Sequence, residues 1–363
     1  MAFLVALVFA APCAAQTDAK SERPKTERPK TERPKTERNE SEKATSARTR
    51  SERAQRPGEI AIGVGHGIGF LPLFIAQDLG LLDKHAKASG LNGKITVRRF
   101  HAAAPMRQAL AKGEIAAGAY GIPALLIARD AARQTAQELQ AVSGITTLPL
   151  VLLTARPNIR ALDDIKPVDK IAVPTLTAPQ VIYLRMRTNP WFGGHDRLRQ
   201  QLVAMPHQDS VDALTAGKGI AAYFSSPPFT QIALSDPKVR AVTSSAEIMG
   251  GKTSFLVMAS SKAALGVHPK LPDVLAKAID EASAVIRKDP RRAATVWLKW
   301  EPSHTLDARM VEGILRDLKD DFGSGVFGIE ATATYLWREN RLRENVGSWK
   351  DVVAPAVASG EGS

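Results

Sequence analysis

Short apolar segments alternate with segments of helical periodicity from residue 59 onward. Each apolar run predicts a buried strand, and the turn and amphipathic stretch after it predict a helix. Alternating strands and helices are typical of parallel sheets flanked by helices, so the pattern predicts an α/β fold. The predicted strands are Ile60–Val64, Ile95–Phe100, Ile115–Tyr120, Leu148–Thr154, Lys170–Val173, Leu202–Met205, Ile220–Phe224, Val239–Thr243 and Ser254–Ala259.

The first of these units is rich in glycine. After the strand Ile60–Val64, four glycines within residues 63–69 allow a tight turn, Pro72 suits the first helical turn, and Gly80 ends the helix. A helix that begins after a strand can hold a small polar ligand at its N-terminus. A dinucleotide loop is excluded by the spacing, because Ile68 occupies the position of the required third glycine.

The same arrangement recurs along the chain. Predicted helices begin near Pro72, Pro105, Pro123, Pro179 and Pro227-Pro228. The turns before them contain His66, Phe70, His101, Tyr120, Thr175, Thr177, Tyr223, Ser225 and Ser226. Ligands of open parallel sheets bind beyond the carboxyl ends of the strands, so five such turns predict one shared cleft.

The end of the chain is predicted to be helical, followed by a frayed terminus. The predicted helices are Leu271–Arg287, Pro290–Lys299, Leu306–Phe322 and Ile329–Leu342, and the frayed end is Ala354–Ser363.

The first 58 residues differ from the rest in composition. An apolar core before small residues predicts an export signal, residues 1–15, cut after Ala15. Residues 16–58 form a basic segment in which residues 20–38 repeat the unit KTERP, and the regularly spaced prolines with little apolar content predict a disordered linker. It serves as a spacer or, alternatively, as an anchor on anionic surfaces. Cys13 is the only cysteine, so the mature chain would hold no disulfide, thiolate nucleophile or cysteine-bound metal.

Charge does not point to nucleic acid. Of the net charge of +12, the linker contributes +5, from 13 basic against 8 acidic residues. Every repeat unit carries a glutamate, and the remainder has no basic-aromatic interleaving. At 363 residues the chain is long enough for about two domains, and no run approaches the roughly 20 apolar residues of a membrane span.

The sequence resembles a known family at several points in order. The stretches Gly67–Leu82, Met106–Ala116, Ile159–Ile165 and Val211–Gly217 are similar to periplasmic substrate-binding proteins of ABC importers, in the nitrate/sulfonate/taurine branch that includes binders of thiamine-precursor pyrimidines. The resemblance implies a two-lobed type II fold, each lobe a mostly parallel sheet flanked by helices, with two crossing strands between them. The expected boundaries are 59–150 and 246–345 for lobe 1, 151–245 for lobe 2, and 346–363 for a tail.

The resemblance also implies a function and a site. A monomeric periplasmic protein would close on a small solute and deliver it to an inner-membrane permease, without a cofactor or metal. Carrying over the family's ligand-contacting turns gives the candidates His66, Gly67, Phe70, Tyr120, Thr177, Gln180, Ser225 and Phe229.

The five turns contain no Asp, Glu, Lys or Arg, which leaves two ligand classes open. Helix N-termini favour a small oxyanion such as a sulfonate, taurine or a nitrate-like anion. Aromatic residues in the turns suit a planar pyrimidine precursor equally well.

Two other functions remain as alternatives. An enzyme of similar fold would act on a pyrimidine-like molecule, but no Gly-x-Ser-x-Gly surrounds Ser225 and Ser226, and the mature chain lacks a cysteine-rich stretch. We therefore expect no enzymatic activity. A ligand sensor that has lost transport would carry the same sequence features.

Overall fold

The computed structural model describes residues 58–188 and 198–363, and within them two five-stranded sheets form. The predicted export signal and the KTERP repeats lie outside the described residues. The first sheet has the order β2 (Lys94–Arg99), β1 (Glu59–Val64), β3 (Ala117–Tyr120), β10 (Leu256–Ser261), β4 (Leu139–Thr146). The second has the order β7 (Leu202–Ala204), β6 (Ile171–Val173), β8 (Ala222–Ser225), β5 (Val151–Thr154), β9 (Arg240–Ser244).

Both sheets are mixed in the same way. In the first, β1 pairs parallel with β2 and β3, while β10 runs antiparallel to β3 and β4. In the second, β6 pairs parallel with β7 and β8, while β5 runs antiparallel to β8 and β9. The chain therefore has the predicted two-lobed α/β fold, with one antiparallel strand at the corresponding place in each sheet.

Helices cover both sheets. They are α1 (Leu71–Asp78), α2 (Leu81–Ser89), α3 (Ala103–Ala111), α4 (Ile122–Ala131), α5 (Pro179–Thr188), α6 (His207–Thr215), α7 (Phe229–Leu234), α8 (Ser245–Met249), α9 (Lys262–Val267), α10 (Leu271–Lys288), α11 (Pro290–Trp300), α12 (Ala308–Asp317) and α13 (Ile329–Arg338). Short 3-10 turns occur at Ile68–Phe70, Leu162–Asp164, Lys319–Asp321 and Trp349–Asp351.

The longest helix illustrates how the sequence builds the core of the first lobe. In α10, apolar residues recur every three or four positions and form one buried stripe: Leu271, Val274, Leu275, Ala278, Ile279, Ala282 and Ile286. This stripe packs against α1, α2 and β4. No helix in the described part of the chain has the length and apolar character needed to cross a bilayer.

The chain passes between the sheets twice. Residues 147–150 connect β4 to β5, and residues 250–255 connect α8 to β10. Leu148–Thr154 was expected to be a crossing strand, but its second half is β5, which lies inside the second sheet because it pairs with β8 and β9. Strand β4 and helix α2 are elements that the sequence pattern did not predict.

The predicted frayed end is wrong for this fold. The Ala354 amide donates to the carbonyl of Ala141 in β4 at 2.8 Å, and the Ser363 amide donates to the carbonyl of Val326 at 3.1 Å. The amide of Ile329 donates to the Ser363 carbonyl at 2.8 Å. The tail consists mostly of small residues, so the sequence pattern predicts no ordered structure there. Its backbone groups nevertheless form hydrogen bonds with the first lobe.

Candidate functional site

The two lobes touch where a helix begins in each. Gly121 precedes α4, at the carboxyl end of β3, and Pro179 is the first residue of α5, after β6. A Cβ atom on Gly121 would lie only 2.9 Å from Cγ of Pro179. The backbone of Gly121 is in the extended region that any residue adopts, so glycine is needed here for close approach.

Two nearly buried polar side chains lie next to this contact in the sequence. Tyr120 precedes Gly121 and is 5% exposed, and Gln180 follows Pro179 and is 2% exposed. Neither side chain has a hydrogen-bond partner among the described residues. Burial raises the pKa of Tyr120 to about 12, with Arg107 opposing, so its hydroxyl stays protonated. Their polar atoms are not among the buried side-chain atoms left without a partner in the described residues, so the hydroxyl and the amide remain accessible and can bond to a ligand.

Phe255, on the second crossing segment, lies close both to Gly69 in the turn after β1 and to Gly121 at the contact between the lobes. A Cβ on Gly69 would lie 3.3 Å from its ring, and one on Gly121 would lie 3.5 Å from its carbonyl oxygen. The ring packs against the apolar cores of both lobes. The sequence-based candidates did not include Phe255; its signal was a large aromatic residue at the start of a predicted crossing strand.

The turn after β1 has one apolar and one polar side. The Phe70 ring is buried over Gly65, where a Cβ would lie 3.0 Å from it, and its centroid is 6.5 Å from that of Phe74. The His66 side chain is 37% exposed, and its ring stacks on His101 with centroids 5.0 Å apart. The Phe70 ring therefore packs within the first lobe, whereas His66 faces polar surroundings.

Charged side chains reach this turn from distant segments, contrary to the expectation from its local sequence. Arg99, at the carboxyl end of β2, pairs with Glu301 at 2.9 Å. The Glu301 carboxylate also accepts a hydrogen bond from the Gly67 amide at 3.3 Å. Glu301 follows α11 and is separated from Gly67 by more than 200 residues, so no local pattern could reveal it.

In the second lobe the predicted residues fall into separate environments. Thr177 is exposed, and its hydroxyl lies 3.3 Å from that of Thr175. Ser225 is fully buried, donates to the Val151 carbonyl at 2.8 Å and lies 2.8 Å from the hydroxyl of Thr230. Its hydroxyl is thus already satisfied by the fold.

Phe229 belongs to a small cluster around His207. The two rings stack with centroids 4.8 Å apart. The imidazole contacts the hydroxyl of Tyr223 through Nδ1, and its Nε2 lies 3.3 Å from Oγ of Ser226. Among the described residues of the second lobe, Ser226 and His207 most resemble a catalytic pair of nucleophile and general base.

That cluster is poorly suited to nucleophilic catalysis. Burial lowers the pKa of His207 to about 4, so the imidazole is a weak base. Burial also raises the pKa of Tyr223, so the partner on Nδ1 is a neutral phenol instead of the carboxylate that stabilises an imidazolium. In the described residues no group of three or more His, Cys, Asp or Glu side chains is placed to hold a metal ion.

Comparisons with known proteins agree with this architecture. The model of the NMT1-like family matches residues 53–298. The fold is similar to that of the periplasmic aliphatic sulphonate binding protein SsuA from Escherichia coli, with 19% identity, a TM-score of 0.62, and coverage of 82% of this chain and 92% of that chain. No match was found among curated proteins.

Two further structures are similar. The alkanesulfonate-binding protein SsuA from Xanthomonas axonopodis pv. citri, bound to MOPS, is 19% identical with a TM-score of 0.61, covering 84% of this chain and 99% of that one. The periplasmic nitrate-binding protein NrtA from Synechocystis PCC 6803 is 13% identical with a TM-score of 0.50, covering 71% and 70%. At these identities the likeness establishes the fold.

Proposed function

Because this chain belongs to the NMT1-like family, we propose that it is the solute-binding component of an ABC importer. It captures a small ligand between its two lobes in the periplasm and delivers it to an inner-membrane permease, as a monomer. Lobe 1 comprises residues 59–150 and 246–345, and lobe 2 comprises 151–245. The two crossing segments act as the hinge.

One observation carries this proposal. Tyr120 and Gln180, on opposite lobes, flank the contact of Gly121 with Pro179, and their polar atoms are neither bonded within the described residues nor fully shut off from solvent. A solute held there would satisfy both groups and be enclosed by the walls formed by Phe70 and Phe255. An aliphatic sulfonate, taurine, a nitrate-like anion and a pyrimidine precursor all have acceptors for the Tyr120 hydroxyl and the Gln180 amide.

The role of an enzyme is less well supported. The solved structures compared above are of binding proteins by their titles. His207, with its lowered pKa and its neutral Tyr223 partner, is a poor base for Ser226. A sensor would use the same cleft, and the presence of neighbouring permease and ATPase genes would separate transport from sensing.

A thermal-shift screen tests the proposal. Sulfonates, taurine, nitrate and pyrimidines are each added to the purified protein, and native mass spectrometry detects any solute that co-purifies. A ligand at 100 times its Kd adds about 2.7 kcal/mol of stability, which raises the melting temperature by several degrees. No shift with any of these solutes, also after mild denaturant to release bound ligand, would contradict the proposal.

A further inference from the structure

The charged cluster beside the first-lobe turn has the composition of an anion-binding site. The Glu301 carboxylate receives the Gly67 amide at 3.3 Å and the Arg99 guanidinium at 2.9 Å. Nδ1 of His66 lies 3.3 Å from the same carboxylate oxygen and 2.5 Å from Nη2 of Arg99. An amide N–H and a guanidinium converging on one oxygen are the donors that a sulfonate or a carboxylate requires.

The histidine can take only one of its two roles at a time. When Nδ1 is unprotonated it accepts from Arg99, and when it carries a proton it donates to Glu301. In either form the carboxylate retains its bonds from Arg99 and the Gly67 amide. The negative charge of Glu301 is therefore held mainly by these two donors.

The cluster is open to solvent and next to the proposed solute site. The side chains of Arg99 and Glu301 are 28% and 17% exposed, and a Cβ on Gly67 would meet no atom within 4 Å. Gly67 is two residues from Gly69, a distance of at most about 7 Å along the chain, and Gly69 contacts Phe255. A solute beside Phe255 can therefore place a charged end in the cluster.

Glu301 is attached in a way that permits it to move. It follows the last residue of α11 and lies in the irregular segment before α12, whereas its neighbour Trp300 is fixed by stacking on Phe74, with ring centroids 4.8 Å apart. Trp300 also accepts a hydrogen bond from Arg99 through its carbonyl. Rotation of the Glu301 side chain would thus leave Arg99 in position.

Building on the proposed function, we propose that Arg99 and the Gly67 amide form an oxyanion subsite that the Glu301 carboxylate fills, and that a sulfonate or carboxylate group of the solute binds by displacing it. Glu301 acts as an internal competitor. It lowers the affinity for every anionic solute and excludes those that bind weakly, so it sets a threshold for the solutes the protein accepts.

The test uses inorganic sulfate, so that it does not depend on knowing the physiological solute. Sulfate is titrated into wild-type protein, Glu301→Ala and Glu301→Gln at constant ionic strength, and NMR follows the Gly67 amide. We expect Glu301→Ala to bind sulfate at least tenfold more tightly than wild type, and Glu301→Gln to change in the same direction by a smaller factor. The second variant keeps the side-chain volume and serves if the alanine variant does not fold.

Controls separate the subsite from a general effect of charge. Glu312→Ala removes a carboxylate from a surface pair with Arg316 on α12 and should leave sulfate affinity unchanged. Adding Arg99→Gln to Glu301→Ala should abolish the gain. Adding Arg98→Gln, on the opposite face of β2, should preserve it.

Each outcome bears on one proposal alone. If Glu301→Ala shows no gain, or a gain that survives the loss of Arg99, the subsite is refuted even when the wild-type protein binds a solute in the thermal-shift screen. If the gain appears and depends on Arg99 while no solute binds in that screen, the subsite stands and the proposed function fails.

Discussion

Substitution of Gly121 by alanine should weaken solute binding by preventing full closure of the lobes. The added Cβ would lie 2.9 Å from Cγ of Pro179, whereas carbon atoms in contact lie about 3.5–4.0 Å apart. The lobes must therefore separate locally by about 0.6–1.1 Å. Overpacking of this kind costs roughly 1–3 kcal/mol, which corresponds to about 5- to 150-fold in affinity.

Calorimetry with the tightest solute from the screen measures the loss of affinity of Gly121→Ala. Its melting temperature without solute should fall little, because opening relieves the contact while each lobe keeps its core. Gly251→Ala is the matched control, since a Cβ there meets no atom within 4 Å. The double variant Gly121→Ala/Pro179→Ala removes the opposing atom and should recover affinity. If it binds no better than Gly121→Ala, the reasoning from the contact is wrong.

Three other predictions follow from the described contacts and from the sequence. Tyr120→Phe and Gln180→Met should each weaken solute binding by about 2- to 10-fold, which is the effect of one hydrogen bond, without lowering the melting temperature. A clear loss of stability would show that these groups have structural partners. Burial raises the pKa of Glu138, but hydrogen bonds from Lys262 and a backbone amide outweigh it and hold the pKa below its usual 4.5. This stabilisation is present above pH 4.5 and is lost as the pH falls through the lowered pKa of Glu138. The free energy of unfolding, measured with urea between pH 3 and 7, should therefore depend less on pH in Glu138→Gln than in the wild type. An identical pH dependence would contradict this prediction. Deletion of residues 16–57 should leave affinity and melting temperature unchanged, and a drop of several degrees would show that the repeat packs on the lobes.

The sequence predicted most of the strands and the turns between strands and helices because apolar runs and prolines act locally. Pro72 and Pro123 occupy the second positions of α1 and α4, and Pro179 the first of α5. Pro105 is an exception, since α3 already begins at Ala103. Strand β4 escaped prediction because Gln140, Ser143 and Gly144 interrupt its apolar pattern, although Ser143 is fully buried.

The candidate site was predictable only as far as its contacts are local. Tyr120 and Gln180 became candidates through the family resemblance of the local strand-to-helix segments, and in the structure Tyr120 ends β3 while Gln180 is the second residue of α5. Phe255 gains its role by contacting turns more than 100 residues away. Glu301 carries no local signal at all, since it follows an ordinary amphipathic helix and meets Gly67 only through the packing of α11 against α1.

The two faces of α5 pack into different apolar cores, and this determines the free energy of lobe closure. Tyr183 and Leu184 belong to the apolar core of the second lobe, whereas Ile182 is buried in that of the first. Opening the lobes would expose Ile182, at a cost of about 1.5–3 kcal/mol. The Tyr120 hydroxyl and the Gln180 amide beside the contact are not among the buried polar atoms left without a partner, so they add no comparable cost to the closed form. On the proposed function, a solute that bonds to both groups adds to this apolar gain, and the closed form is then favoured. On the proposed function, Tyr120 and Gln180 therefore set both the affinity for the solute and the degree of closure.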